Sequence, residues 1–374
     1  MTRPVDRLRV ENLDGEGVLE NFTSATITNS LTEPAETAFE LGDDGTWEGI
    51  NRAVSPGSRY RVFVNGRPRL TGKVELLDAP FDASGGATVR FTVRSKLSDA
   101  WYQAADPNVR IKGASIKEYL LALYDNVGIF EDDFVFDAAA ARDLMTGKQP
   151  GGGESPPDLE EIEEEHLRPN PPESVYMAAD RALRRHGLMH WDSPDGRIVV
   201  SSPNDEQAPL YSLRAMVGPP GRANNILSAV RTKDWTEVAS HVVVYGKSGG
   251  LQHATGKVRA VVEDEEVVSA GFFRPVIVIA DTAKTQEMAE HAGRRERTAR
   301  AKRKDAWRVT VDGLAFWNGG EAIPYGIDTT CEVVASVVGG PAGAYFVHRT
   351  TLERTPGNGD VATLEVVRRG VWDL

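Results

Sequence analysis

The 374-residue chain lacks several things that would each have pointed to a class of chemistry. It has a single cysteine, Cys331, so neither an intramolecular disulfide framework nor a multi-cysteine zinc or iron–sulfur site can be built. No stretch approaches the roughly 18 apolar residues that a membrane-crossing helix needs. The opening MTRPVDRLRVEN carries no apolar leader core, so no secretory signal is expected. Basic residues are in deficit: 43 Lys and Arg stand against 55 Asp and Glu, a net charge of −12. Sequence-independent wrapping of DNA, which needs a basic surface, is thereby excluded.

Catalytic signatures are missing as well. The Gly-Lys pairs at 72–73, 147–148, 246–247 and 256–257 lack the glycine five positions earlier that a phosphate-binding loop requires. Neither a Gly-x-Ser-x-Gly elbow nor a His-Glu-x-x-His helix occurs. Cys331 lies in the apolar run CEVVASVV and reads as a small buried thiol. His186 and His190 are four apart, but Gly187 between them ends a helix, so the rings do not share a face. His166 follows the acidic run EEIEEE, which lacks the glycine turn and alternating ligands of a calcium loop and reads as a solvated segment. No metal, cofactor or catalytic centre is expected.

What the chain does have is turns and short alternating runs. Gly 36 and Pro 21 suit many short strands, and 40% hydrophobic with 26% charged residues suits a chain that buries sizeable cores. In VRFTVR at 89–94, Val89, Phe91 and Val93 share one face of a strand. Tyr60, Val62 and Val64 alternate up to Asn65-Gly66, a type I′ turn pair, so 60–76 reads as a hairpin. Further strands fit 5–10, 24–31 and 37–41.

Helix signals begin after residue 98. Ser115-Ile116-Lys117-Glu118 is a capping box, followed by apolar residues at helical spacing up to Gly128. A second helix is read from Ser174 to His186, then two strands around an Asp-Gly turn in 188–202. Between these helices lies 146–173, rich in Gly, Pro and acids, which reads as a flexible insert. Strands then fit 226–231, 241–245, 257–262, 265–268 and 274–280. A third helix is placed over 281–304, with strands over 307–312, 328–338, 344–353 and 361–368.

The expected fold class is therefore α+β and β-rich, with two similar small β-barrel domains flanking mixed α/β modules. The expected division is a first β-barrel domain at 1–97 and an α+β domain at 98–203 carrying the insert. A second β domain at 204–310 holds the third helix, and a C-terminal β region at 311–374 is available to complete the second barrel. No short sequence repeat is visible. The main charge feature is RRERTARAKRK at 294–304, with Arg294, Arg295, Arg297, Arg300, Lys302, Arg303 and Lys304. It can complement its own helix dipole, dock on an acidic partner surface such as 158–165 of a neighbouring subunit, or contact DNA.

The module order, with four phrases, resembles the baseplate hub family of contractile-tailed phages, the Mu-like tail proteins, related to the hub portion of type VI secretion spike proteins. The phrases are YRVFVNGRPRLTGKVELL at 60–77 with VRFTVRSKLSDAW at 89–101; GASIKEYLLALYDNVGI at 113–129; ESVYMAADRALRRHGLMHWDSPDGRIVVSS at 173–202; and RANNILSAVRTKDWTEVASHVVVYGKS at 222–248. The resemblance covers nearly the whole chain. It departs in AFWNGGEAIPYGIDTTCEV at 315–333, which keeps only a Trp, a Pro and the surrounding glycines of the family's phrase, and in the longer acidic insert.

The resemblance implies a non-enzymatic hub that forms a homotrimer, two β domains per subunit making a ring of six. Such a ring adapts a six-fold tail tube, or its initiator protein, to a three-fold central spike. A tape-measure protein and other baseplate proteins are further implied partners, with DNA only passing through the channel. The place implied is the tail tip of a virion, after assembly in the host bacterial cytoplasm. Two alternatives stand beside it. A wall-degrading hydrolase would need two facing carboxylates, and the chain has 55 acids to draw on. A host carbohydrate-binding module would need aromatics on one face, whereas the seven tryptophans are scattered from 47 to 372.

Overall fold

The computed structural model describes residues 5–42 except 16 and 21, 54–136 except 83–85 and 110–113, 163–164, 168–216, 224–247, 255–318 except 281, 282 and 284, 320–338 and 342–371. The first β region holds β1 (Leu8–Asn12), β2 (Ser24–Ser30), β3 (Glu36–Gly42), β4 (Arg59–Val64), β5 (Arg67–Asp78) and β6 (Gly86–Ser95). Asn65 and Gly66 both adopt positive φ between β4 and β5, as the hairpin reading requires. The mixed module follows with α1 (Leu97–Tyr102), α2 (Ile116–Asp125), α3 (Val175–Leu183), β7 (Met189–Asp192) and β8 (Ile198–Ser201). Ser115 and Glu118 form the capping box on α2, and Ser174 caps α3. A single 3-10 turn, Arg184–His186, then ends at Gly187, which is left-handed.

The second β region contains β9 (Tyr211–Ala215) and β10 (Ile226–Thr232), then an inserted module. That insertion consists of β11 (His241–Lys247), β12 (Thr255–Glu263), α4 (Glu265–Ser269), β13 (Pro275–Ala280) and α5 (Gln286–Ala301). The chain rejoins the large sheet with β14 (Ala306–Asp312), β15 (Thr329–Ala335), β16 (Gly343–Thr355) and β17 (Gly359–Arg368). Two expectations change here. Residues 265–268 are helical instead of extended, because the Asp264 side chain accepts from Val267 N and starts a turn. The third helix begins at Gln286 behind a Thr285 cap, later than 281.

The two β regions share one strand order, although the edge strand is antiparallel to its neighbour in the first (β1 on β4) and parallel to it in the second (β9 on β15). In space the first runs β2-β3-β6-β5-β4-β1 and the second runs β10-β14-β17-β16-β15-β9. Numbered by chain order within each region, both read 2-3-6-5-4-1. Registers agree too. Gly72, Lys73 and Val74 pair with Ser95, Arg94 and Val93, as Tyr345, Phe346 and Val347 pair with Arg368, Val367 and Val366. Both ladders then slip by one residue, between Val74 and Leu76 and between Val347 and Arg349. Closed barrels, expected from sequence, are not formed by the described strands. In the first region a short strand, Val18–Leu19, occupies the edge of β1. In the second, the side chains of Asn224 and Asn225 span the gap to β9, accepting from Met216 N at 3.0 Å and Arg214 N at 2.8 Å.

The regions join edge to edge. β16 is long and bulged, so its first half pairs with β15 while its second half pairs with β2, Ser30 opposite Arg349 and Ala25 opposite Arg354. One apolar core runs through both, from Phe39, Tyr60 and Phe91 to Trp307, Tyr345 and Leu364. The helices of the mixed module form a second core around Tyr119, Leu123 and Leu183. The insertion has its own, where α5 lies on β11 and β12. Gly293 permits that contact: a Cβ there would stand 2.6 Å from Val262 Cγ2.

Candidate functional site

α5 carries the basic cluster, and the fold turns most of it inward. Of its seven cations only Arg303 is exposed, 3.8 Å from Glu237. Arg300 Nε meets Glu296 Oε1 at 2.7 Å and its Nη1 donates to Glu237 O at 3.1 Å. Lys304 Nζ sits 3.0 Å from Asp264 Oδ1 and 2.8 Å from Glu266 Oε2, and lies over the Trp235 ring. Lys302 and Arg295 face the mixed module, where both hold down the pKa of Asp180 against the larger upward push of burial and beside the closer Arg184. Burial and the Arg184 charge bring Lys302 down to about 8. Arg294 is half-buried, and its Nε has no hydrogen-bond partner. Arg297 lines a cleft. The helix is thus a strut between the insertion, the mixed module and the large sheet.

The cleft, of about 1120 Å³, separates the insertion from the ends of β14, β16 and β17. Its charges answer each other. Arg231 and Asp305 form a bidentate pair at 2.7 and 2.8 Å, with the guanidinium over Trp307. Burial works against the Asp305 charge, but Arg231 outweighs it and the carboxyl stays below the usual range. Arg368 reaches Glu266 at 3.3 Å, completing a Lys304–Glu266–Arg368 bridge across the mouth. Asp305, held ionised by Arg231, is not poised as the proton donor that glycoside cleavage needs.

A second concentration of perturbed groups lies where the mixed module meets the first β region. The Asp192 carboxylate accepts from Ala35 N at 2.8 Å and Ser95 Oγ at 2.7 Å. Burial pushes its pKa up to about 6 although these donors, and Leu97 N, favour the charge. His190 is enclosed against Tyr176, ring centres 4.3 Å apart, and burial brings it down to about 3. Such values occur in active sites, but both side chains are buried, and Asp192 ties β7 to Ala35 and Ser95 of the first β region.

Among the described residues, no three His, Cys, Asp or Glu side chains cluster to hold a metal. His186 and His190 fall on separate elements, as read from Gly187. Cys331 is buried in β15, its thiol pushed up by burial. Most of the acidic segment, with His166, lies outside the described residues. The part that is described, Glu163–Glu164, pairs with Ala114–Ser115 of the same chain. Among the described residues no helix is long and apolar enough to cross a membrane.

No protein-family model matches the sequence, and no curated protein does. The fold has solved counterparts. The 43 kDa tail protein of prophage MuSo2 from Shewanella oneidensis superposes with a TM-score of 0.71 at 18% identity, over 97% of this chain and 98% of that one. A tail protein from Neisseria meningitidis gives 0.76 at 15% identity, over 99% and 98%. The chain has the fold of prophage tail proteins. A type VI secretion component from E. coli, described as similar to tail proteins of bacteriophage T4, shares this tail-protein fold at a TM-score of 0.55 and 9% identity, over 97% and 77%. At these identities it is the architecture that is common. Sequence reasoning found the β-rich α+β class with two similar β regions but missed β9, the Asn224–Asn225 bridge as a structural device, and the shared strand order and register.

Proposed function

We propose that the chain is a structural hub of a contractile phage tail or a related injection device. In this reading it is a homotrimer at the baseplate, binding a central spike on one side and the tail tube or its initiator on the other. The observation that carries the reading is the end-to-end match of both chains with tail proteins. The doubled 2-3-6-5-4-1 topology supports it, since three chains with two like β regions each supply six similar units around an axis. The first unit corresponds to residues 1–97 and the second to the strands within 204–310 and 311–374, with 98–203 as the mixed module between them. The work is adhesion and symmetry adaptation, without bond chemistry, and DNA only passes through. The α5 cations act mainly inside each chain.

Light scattering on the purified chain tests the trimer. Three chains of 40.7 kDa give a particle of about 122 kDa. A particle of one chain at every concentration, alone and with the spike protein, overturns the reading.

A further inference from the structure

The doubled topology places an intact junction inside the chain and leaves its two halves open outside it. Within the chain, the outer edge of β2, the second strand of the first region, pairs with the far half of β16, the fifth strand of the second. The second strand of the second region is β10. It pairs with β14 on one side only among the described strands, and Val230 on it is 61% exposed. The fifth strand of the first region is β5. β4 leaves it at Lys73 and the backbone of Gly57 and Ser58 bonds to Val74, so beyond Val74 the strand, continuing through Phe81, pairs only with β6 among the described strands. There Leu76 is 53% exposed and residues 78–80 are exposed.

The open half of β5 is the counterpart of the half of β16 that holds β2. Arg349, Thr351 and Arg354 pair with Glu365, Thr363 and Asp360, as Leu76, Asp78 and Phe81 pair with Thr92, Arg90 and Ala87. The one proline of this stretch, Pro80, aims its carbonyl at Thr88 N (3.1 Å), so the N–H it lacks would lie on the covered side. Among the described residues Asp78 is the exposed charge on these two stretches, while Glu75 and Arg231 are half-buried and paired with Arg94 and Asp305, so the charges that usually protect exposed edges are few.

From this we infer that β10 of one copy adds to the open half of β5 of the next, repeating between chains the β2–β16 junction found within each chain. The inference rests on the hub reading for the number of copies. Two different edges joined head to tail give a closing ring, not a two-fold dimer, and the two regions then alternate around it. Transferring the known register sets the pairs. Ser30, Thr28 and Ala25 face Arg349, Thr351 and Arg354. By the equivalence of β3 with β14, Thr28 corresponds to Thr232. Thr232 therefore faces Asp78 of the next copy, and Ala229 faces its Phe81.

Directly opposed Cα atoms in an antiparallel ladder stand about 4.5–5.5 Å apart, within disulfide reach. The test is a full chain carrying Thr232→Cys and Asp78→Cys, oxidised and run on a non-reducing gel, with light scattering in parallel. Cys331 is buried and does not compete. Expected are covalent two- and three-chain bands that dithiothreitol removes. A chain with Thr232→Cys and Leu76→Cys, two residues out of register, should cross-link at least tenfold less. In addition, Val230→Lys should weaken association at least tenfold while circular dichroism stays unchanged, since the side chain is exposed. A trimer by light scattering that fails to cross-link, or cross-links equally in both registers, overturns the edge pairing and leaves the hub reading standing. A wild-type chain that never associates overturns the hub reading itself.

Discussion

At the scale of single residues, the buried Asp192 and His190 and the half-buried His348 shape the pH response. Asp192 has a folded pKa near 6 against about 4 unfolded. Between those values the folded state holds a proton that the unfolded state has released, so this group's contribution falls as pH rises through the window. His190 near 3 and His348 near 4, both lowered by burial, act in the opposite sense. The unfolded state gains their protons below about pH 6.5, so stability falls as the solution is acidified. Urea midpoints from pH 4 to 7 should show an acid limb that His190→Phe flattens, because the ring space against Tyr176 is kept and the proton site is lost. Asp192→Asn should steepen the same limb by removing the opposing group. Lys304 and Asp264 have side chains only 11% and 10% exposed. Lys304→Ala leaves a buried carboxylate facing nothing but its own helix cap. A loss of about 3 kcal/mol is expected by denaturant titration.

At the scale of elements, local signals were read correctly where the chemistry is local. The capping box at Ser115 and the Gly187 stop need no distant residue, and both are in place. Ser115→Ala should cost about 1 kcal/mol in thermal or chemical unfolding, with the loss centred on α2 in hydrogen exchange. The misread strand at 265–268 has an equally local cause. Its paired valines suggest extension, but five residues behind an Asp cap can close one helical turn, and Val267 is buried by it. For α5 the charge pattern was legible and its use was not. A cluster of seven basic residues reads as an outward patch until the loop before β11 and the capped start of α4 supply Glu237, Asp264 and Glu266. Gly293→Leu should separate α5 from β12 and lower the melting temperature by several degrees, since the Cβ site is already filled by Val262.

For the whole molecule, the mass expected for three chains and the cross-link between β10 and β5 are the decisive measurements, and each can fail alone. The fold class, β-rich α+β with a mixed module between two β regions, was legible because strands and caps announce themselves over a few residues. Residues 60–77 and 222–248 carried enough of the pattern to suggest hub proteins. That two similar β regions flank the mixed module was legible; their shared strand order and register were not. Gly72 and Tyr345 occupy equivalent places with no chemistry in common, and a shared register leaves no mark on composition. The fusion of the regions through β2 and β16 depends on residues more than three hundred positions apart. The choice between a closed barrel and an open sheet turns on whether one edge meets a strand or two asparagine side chains. Sequence alone determined which segments extend, coil or turn, because those preferences belong to neighbouring residues. Only the tertiary structure decided which edges are covered and which remain open, because edge pairing is set by what the rest of the chain brings alongside.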